Sequence, residues 1–183
     1  MISHTFSVTG FILKRRNLSE SDRLITVYTR NKGKIVVIAK GIRKIHSRKS
    51  PHMEIFNLVN LFLARGRTFP VVTEVSTQMI FKNIASNLTR IAYGYKMIET
   101  VDRLCPQSDV NEQVFNLLHH GLMMLNNENN ESSSKICDIF ISQLLWRLGY
   151  SEQNTIYYGE KLDSIVHSIL EKTLKSSKLI TKI

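Results

Sequence analysis

At 183 residues, 43% of them hydrophobic, the chain makes one large domain or two small ones and can bury roughly 70% of its unfolded surface without staples. Its net charge of +10 lies entirely in residues 1–79, which hold fourteen Lys/Arg and four Asp/Glu; residues 80–183 hold eleven of each. The start, Met1 to Phe6, lacks the pattern of a signal peptide, and the longest apolar runs, such as Ile35–Ala39, fall far short of the roughly 18 residues that span a bilayer, so neither export nor a membrane partner is expected.

The first part reads as short strands. Phe6, Val8 and Phe11–Leu13 make an apolar, β-forming run that leads into Lys14-Arg15-Arg16. Asn17–Asp22 is polar and turn-like. Leu24–Thr29 is the second run, and Arg30-Asn-Lys-Gly33 suits a tight hairpin with Gly33 at positive φ. Lys34–Lys40 is the third, its Ile-Val-Val-Ile-Ala stretch continuously apolar as in a strand buried on both sides or at a barrel centre, and Gly41 breaks it. Ile55–Ala64 and Val71–Thr77 are the fourth and fifth. Five such runs close together predict a small closed barrel over residues 1–80.

The texture changes near residue 80. Ile84, Leu88, Ile91, Tyr95 and Ile98 step by four and three, which places them on one helix face that Pro106 ends. Asp109 and Glu112 have the spacing of a capping box ahead of Val114, Leu118, Leu122 and Leu125. Asn126–Ser134 is a polar loop. Ile136, Phe140, Leu144 and Leu148 mark a third helix, with Gly149 as its C-terminal cap, and Leu162, Val166, Ile169 and Leu174 a fourth. The expected class is α+β: an all-β barrel domain at 1–80 followed by a helical bundle at 81–183, with no internal repeats.

Motifs for catalysis are missing. There is no phosphate loop, no Gly-x-Gly-x-x-Gly and no Gly-x-Ser-x-Gly elbow. The six histidines form no i, i+4 pair, and neither Cys105 nor Cys137 stands at ligand spacing from one; His119 and His120 are adjacent and point about 100° apart on a helix. The two cysteines form no disulfide framework and fit a reducing cytosolic setting. Asp22 and Glu54 read as turn and strand-edge residues. The expectation is therefore no enzyme, no catalytic residue, no metal and no cofactor.

The basic segments carry the information. Lys14-Arg15-Arg16 ends the first run, Lys40-Gly-Ile-Arg43-Lys44-Ile-His-Ser-Arg48-Lys49 follows the third, and Arg65-Gly-Arg67 links the fourth and fifth. Connections of a five-stranded barrel flank one binding face, where Lys and Arg contact phosphates and Gly41 and Gly66 let the backbone approach. Phe11, Tyr28, Phe62 and Phe69 are either stacking platforms or barrel core, with core the simpler reading of each. The partner class is a polyanion, nucleic acid above all. An OB-fold RNA-binding or translation-associated protein shares the same barrel physics. A nuclease needs a carboxylate cluster that the basic half, with four scattered carboxylates, does not offer.

Phe11-Ile-Leu-Lys-Arg-Arg16, Glu20-Ser-Asp-Arg-Leu24, Thr29-Arg-Asn-Lys-Gly-Lys34 and Ala39-Lys-Gly41, in this order and spacing, resemble the start of the bacterial RecO family. Ser47-Arg48, Arg65-Gly-Arg67, Thr73-Glu74, Leu144-Leu-Trp-Arg-Leu-Gly-Tyr150 and Leu174-Lys-Ser-Ser-Lys-Leu179 continue the likeness along nearly the whole chain. The resemblance implies an OB-fold followed by a helical domain, and a DNA repair and recombination mediator of the bacterial cytoplasm and nucleoid. It implies binding of single- and double-stranded DNA, strand annealing, partnership with RecR, and binding of the acidic, Phe-ended tail of single-stranded-DNA-binding protein (SSB), with RecA loaded indirectly. The DNA contacts expected on these segments are Lys14, Arg15, Arg16, Arg23, Lys34, Lys40, Arg43, Lys44, Arg48, Lys49, Arg65 and Arg67. Candidate cations for the tail, in the neutral half, are Arg90, Lys96, Arg103 and Arg147, with an ordinary solvated helix face the simpler reading of each taken singly. Many relatives carry a four-cysteine zinc module soon after Leu-Gly-Tyr; here Tyr150 is followed by Ser-Glu-Gln-Asn-Thr-Ile-Tyr-Tyr-Gly, and a shortened member without the module is expected.

Overall fold

The protein is described here by a computed structural model covering residues 5–127, 132–170 and 180. His4, the middle of the 126–134 loop, Leu174 and the Leu174–Leu179 segment lie outside the described residues. The chain divides into two compact units. One holds the chain up to Ile80 together with Pro106–Asn111; the other holds Phe81–Cys105 and the chain from Glu112 on.

The first unit is a closed barrel of five strands in the order β1-β2-β3-β5-β4. They are β1 (Thr5–Asn17), β2 (Arg23–Thr29), β3 (Gly33–Ala39), β4 (Leu58–Ala64) and β5 (Val71–Met79). The β1-β2-β3 meander is antiparallel, and a parallel contact at Ile38–Val71 closes the barrel between β3 and β5, the OB-fold arrangement. β1 serves two ladders: Thr5–Phe11 pair with β4 and Gly10–Asn17 with β2, with a bulge between Ile12 and Lys14. Gly10 lies where the ladders overlap. A Cβ there would come within 2.6 Å of Val27 Cγ1 and 2.7 Å of Tyr28 O, so only glycine lets the strand wrap this closely. The core is aliphatic, built from residues such as Ile12, Ile25, Val27, Val59, Leu61 and Leu63.

Two strand readings are refined. The apolar third run lies between β2 and β5 in the closed barrel: Val37 and Ala39 are fully buried and Ile35, on the same face, packs against the core, while Val36 and Ile38 on the other face are half-buried. The fourth strand starts at Leu58 rather than Ile55, because Phe56 takes φ 75° and cannot continue an extended chain. That kink lets Phe56 N–H donate to Ile12 O at 3.1 Å while Ile12 N–H donates to Asn57 O at 3.0 Å. A 3-10 turn, Ser50–Met53, precedes it. Gly33 has φ 61° and Gly41 φ 65°, as their loop positions demand.

The second unit contains, among its described residues, helices α1 (Lys82–Ala85), α2 (Leu88–Leu104), α3 (Glu112–Asn126), α4 (Ser133–Arg147) and α5 (Gly159–Leu170). The expected stripe from Ile84 to Ile98 is interrupted. Asn87 is extended and its side chain accepts from Arg90 N–H at 3.0 Å, which starts a new helix and leaves Ile84 on a separate short turn. Asp109 does not cap α3, which begins only at Glu112. Asp109 instead lies against β3: a Cβ on Gly33 would come within 2.0 Å of Asp109 O. Gly149, at φ 81°, ends α4 as expected, and Gly149 N–H to Trp146 O (2.9 Å) with Tyr150 N–H to Leu145 O (2.8 Å) forms a Schellman motif.

Candidate nucleic-acid interface

The β3–β4 connection forms one wall of an open cleft of about 840 Å³, which also takes in Glu20 and Ser21 of the β1–β2 turn. Of the expected DNA contacts it gathers Lys40, Arg43, Lys44, Arg48 and Lys49. The only carboxylate lining it is Glu20. The other four cations are exposed, while Lys49 is half-buried and its ammonium donates to Val72 O at 2.9 Å, holding the end of the segment to β5.

The segment is a shaped loop. Ile42, 1% exposed, plugs its start into the barrel core, and Met53, fully buried, does the same beyond its end. Asp22 fixes the join to the β1–β2 turn by accepting from Gly41 N–H at 2.8 Å and from Ser21 Oγ at 3.1 Å. The bond from Gly41, followed by those from Ser21 and Ser19 and the charge of Lys40, holds the Asp22 carboxyl below its ordinary 3.8 against the opposing effect of desolvation. Arg43 N–H donates to Ser21 O at 3.0 Å, and the Arg43 guanidinium to Ser19 O at 3.0 Å. Asp22, read from sequence as a turn residue, is thus the anchor of the cationic loop.

The remaining expected contacts are distributed differently. Arg16 pairs with Leu24 and Arg23 with Ala39, so Lys14–Arg16, Arg23 and Lys40 occupy the same end of the β1-β2-β3 sheet. Arg15 there is half-buried; its guanidinium pairs with Glu54 and donates to Met53 O at 3.4 Å. Arg23 donates to Asn17 Oδ1 at 3.2 Å. Arg65 and Arg67 are exposed on the β4–β5 loop but do not line the 840 Å³ cleft. Their neighbours Thr68, Phe69 and Pro70 border another hollow of about 500 Å³ with Phe6 and Lys32. Lys34 departs furthest from expectation. It is 9% exposed: Ser108 N–H donates to its backbone oxygen at 2.9 Å, Gln107 bridges to the same stretch of β3, and the residue lines the wall of the 500 Å³ hollow rather than the cleft, so it does not project as a surface cation.

Among the aromatics, Phe11 and Tyr28 are fully buried core residues, Phe69 is half-buried, and Phe62 is 48% exposed beside Asn60 and Arg30 in a hollow of about 490 Å³. What the sequence reading missed is Ile45, 96% exposed in the middle of the cationic loop. Hydrophobicity alone gave no signal for it, since Ile42, three positions earlier, is buried.

In the second unit, the cations named for a tail are already engaged. Arg90 donates to Asn126 O at 3.1 Å, Arg103 pairs with Glu99 at 3.0 Å, and Arg147 donates to Gln143 O at 3.3 Å and lies 5.0 Å over the Trp146 ring. Lys96 is 4% exposed and pairs with Asp163 at 2.7 Å, which removes it from any surface groove. Among the described residues, no three His, Cys, Asp or Glu side chains gather as a metal site, and no helix is long and apolar enough to cross a membrane.

Residues 1–81 match the family model for the N-terminal part of recombination protein O, and residues 85–153 the model for its C-terminal part. The chain is similar to the DNA repair protein RecO of Roseiflexus sp. (strain RS-1), 36% identical over 69% of this chain and 44% of that protein. It is similar to the RecO of Moorella thermoacetica, 35% identical over 66% of this chain and 45% of that protein, and to that of Dehalococcoides mccartyi, 30% identical over 82% and 58%. The chain thus spans about half the length of the relatives it matches. With both family models matched in order, one over the barrel and one over the helical unit, the chain belongs to the RecO family of DNA repair and recombination proteins.

Proposed function

We propose that this protein is a recombination mediator without catalytic activity, which binds single- and double-stranded DNA through the cationic loops of its barrel. In that role it anneals complementary strands, works with RecR, binds the SSB tail through its helical unit and promotes RecA loading in the bacterial cytoplasm, at the nucleoid. The observation that carries the reading is the cleft in which Lys40, Arg43, Lys44, Arg48 and Lys49 face a single carboxylate. Its open shape suits a continuous backbone rather than a small molecule. Phosphate contacts of this kind fix a strand without reading its sequence, as annealing of arbitrary complementary strands requires.

Fluorescence anisotropy with labelled single- and double-stranded DNA, with and without a peptide of the SSB tail, tests the reading. The expected result is sequence-independent, salt-sensitive binding of both DNA forms together with capture of the peptide. Absence of DNA binding at low salt overturns the DNA reading. Preference for RNA with no response to the peptide favours an RNA-binding OB-fold protein instead.

A further inference from the structure

Ile45 is the most exposed large hydrophobic residue among those described; the next, Leu88, is 68% exposed. Single exposed aliphatics are common on protein surfaces and mean little alone. The placement of this one sets it apart. Ser47 N–H donates to Lys44 O at 2.9 Å, closing a turn with Ile45 and His46 at its tip. Lys44 N–H donates to Gly41 O at 3.2 Å, so one turn leads directly into the next. The base of the loop is held by Ile42 in the core, by Asp22 on Gly41 and by Lys49 on Val72. An apolar tip therefore stands on a fixed stalk, with Arg43, Lys44 and Arg48 exposed around it.

We propose that Ile45 is an apolar wedge that enters between neighbouring bases of DNA held by the flanking cations. This rests on the DNA-binding reading above. The argument is one of burial and stiffness. Because 96% of the residue's surface is exposed in the free protein, insertion between bases gains nearly the whole transfer free energy of the side chain. A β-branched side chain on an anchored turn has little rotamer freedom to lose. The cations supply the grip on phosphates that offsets the cost of unstacking, and that cost is least in single strands and at flexible pyrimidine–purine steps. His46 beside it can lie against a displaced base. Such a wedge opens bases for pairing with a second strand.

The test uses the full chain with single-stranded and duplex oligonucleotides carrying a fluorescent base analogue that stacking quenches. Wild type is expected to raise the fluorescence at saturation, more in single strands than in duplex. Ile45→Ser is expected to abolish the rise and weaken affinity about three- to tenfold. Its salt slope and melting temperature should match wild type, since the side chain touches little in the free protein. Ile45→Phe should keep the rise. A wild-type rise with Ile45→Ser overturns the wedge while leaving the DNA reading intact, as does salt-dependent binding by wild type with no rise at all. Loss of anionic-vesicle binding in Ile45→Ser with unchanged base fluorescence overturns it in favour of a membrane contact. Absence of any DNA binding by wild type overturns both readings together.

Discussion

Asp22 and Gly41, 19 residues apart, are joined by a 2.8 Å hydrogen bond from the Gly41 amide to the Asp22 carboxylate. The bond ties the β1–β2 turn to the first residues of the cationic loop, so a carboxylate in the basic half positions the cations around it. Asp22→Ala is expected to leave the barrel folded, to speed amide exchange at Gly41 and to weaken DNA binding several-fold. Unchanged exchange at Gly41 would show that the loop holds its shape without the bond.

The same carboxylate sets an acid dependence. Its folded pKa lies below the ordinary 3.8, so its contribution to stability is fully present above that value and is lost as pH falls through the lower, folded one. Asp22→Asn should flatten the stability profile below about pH 4 relative to wild type and change little near neutrality. Parallel acid titrations followed by circular dichroism check this.

DNA affinity should fall linearly with log salt. If about five cations engage phosphates, the slope is about −3 to −5. Replacing Lys40, Arg43, Lys44 and Arg48 together with Gln should weaken binding alike on all sequences and flatten the slope, with the melt near wild type. Lys34→Gln should leave the slope unchanged, because Lys34 is buried. A flattened slope in Lys34→Gln would mean that the strand end opens on binding.

The helical unit depends on a buried ammonium. Lys96 Nζ lies 2.7 Å from Asp163 and 4.0 Å from Asp138, and Asp138, 4% exposed, also accepts from Gly159 N–H at 3.0 Å. Burial pulls the Lys96 pKa down, but the hydrogen bond it donates to Asp163 and the charges of Asp163 and Asp138 outweigh it and hold it above the usual 10.5. Its contribution is therefore complete below that value and is lost as pH rises through the folded one. Lys96→Ala strands a buried carboxylate and should cost about 3 kcal/mol in chemical denaturation. Lys96→Met combined with Asp138→Asn should recover much of it. A loss below 1 kcal/mol, on the order of a surface pair, would contradict the burial argument.

Gly10→Ala should destabilise the barrel by about 1–3 kcal/mol, because the added methyl meets the Tyr28 carbonyl, a backbone atom that cannot swing aside. Urea denaturation measures it. A cost near zero would mean that β1 can shift its double pairing.

The sequence alone determined what depends on near neighbours. Strand-forming runs in the first 80 residues and a four/three stripe after them give a barrel followed by helices, because side-chain period acts within a few residues. Gly33 and Gly149 were legible because both positions need positive φ. The segregation of charge is a property of composition and needs no fold. Only the tertiary structure decided which cations share a surface. It placed five of the twelve expected contacts on one cleft, set Arg65 and Arg67 apart, and buried Lys34 beside Gln107 and Ser108 from a segment far along the chain. It also separated Ile42 from Ile45, the same residue type three positions apart, one in the core and one at a turn tip. Periodicity cannot see such differences, because strand register, loop anchoring and the partner of a buried charge are set by long-range contacts.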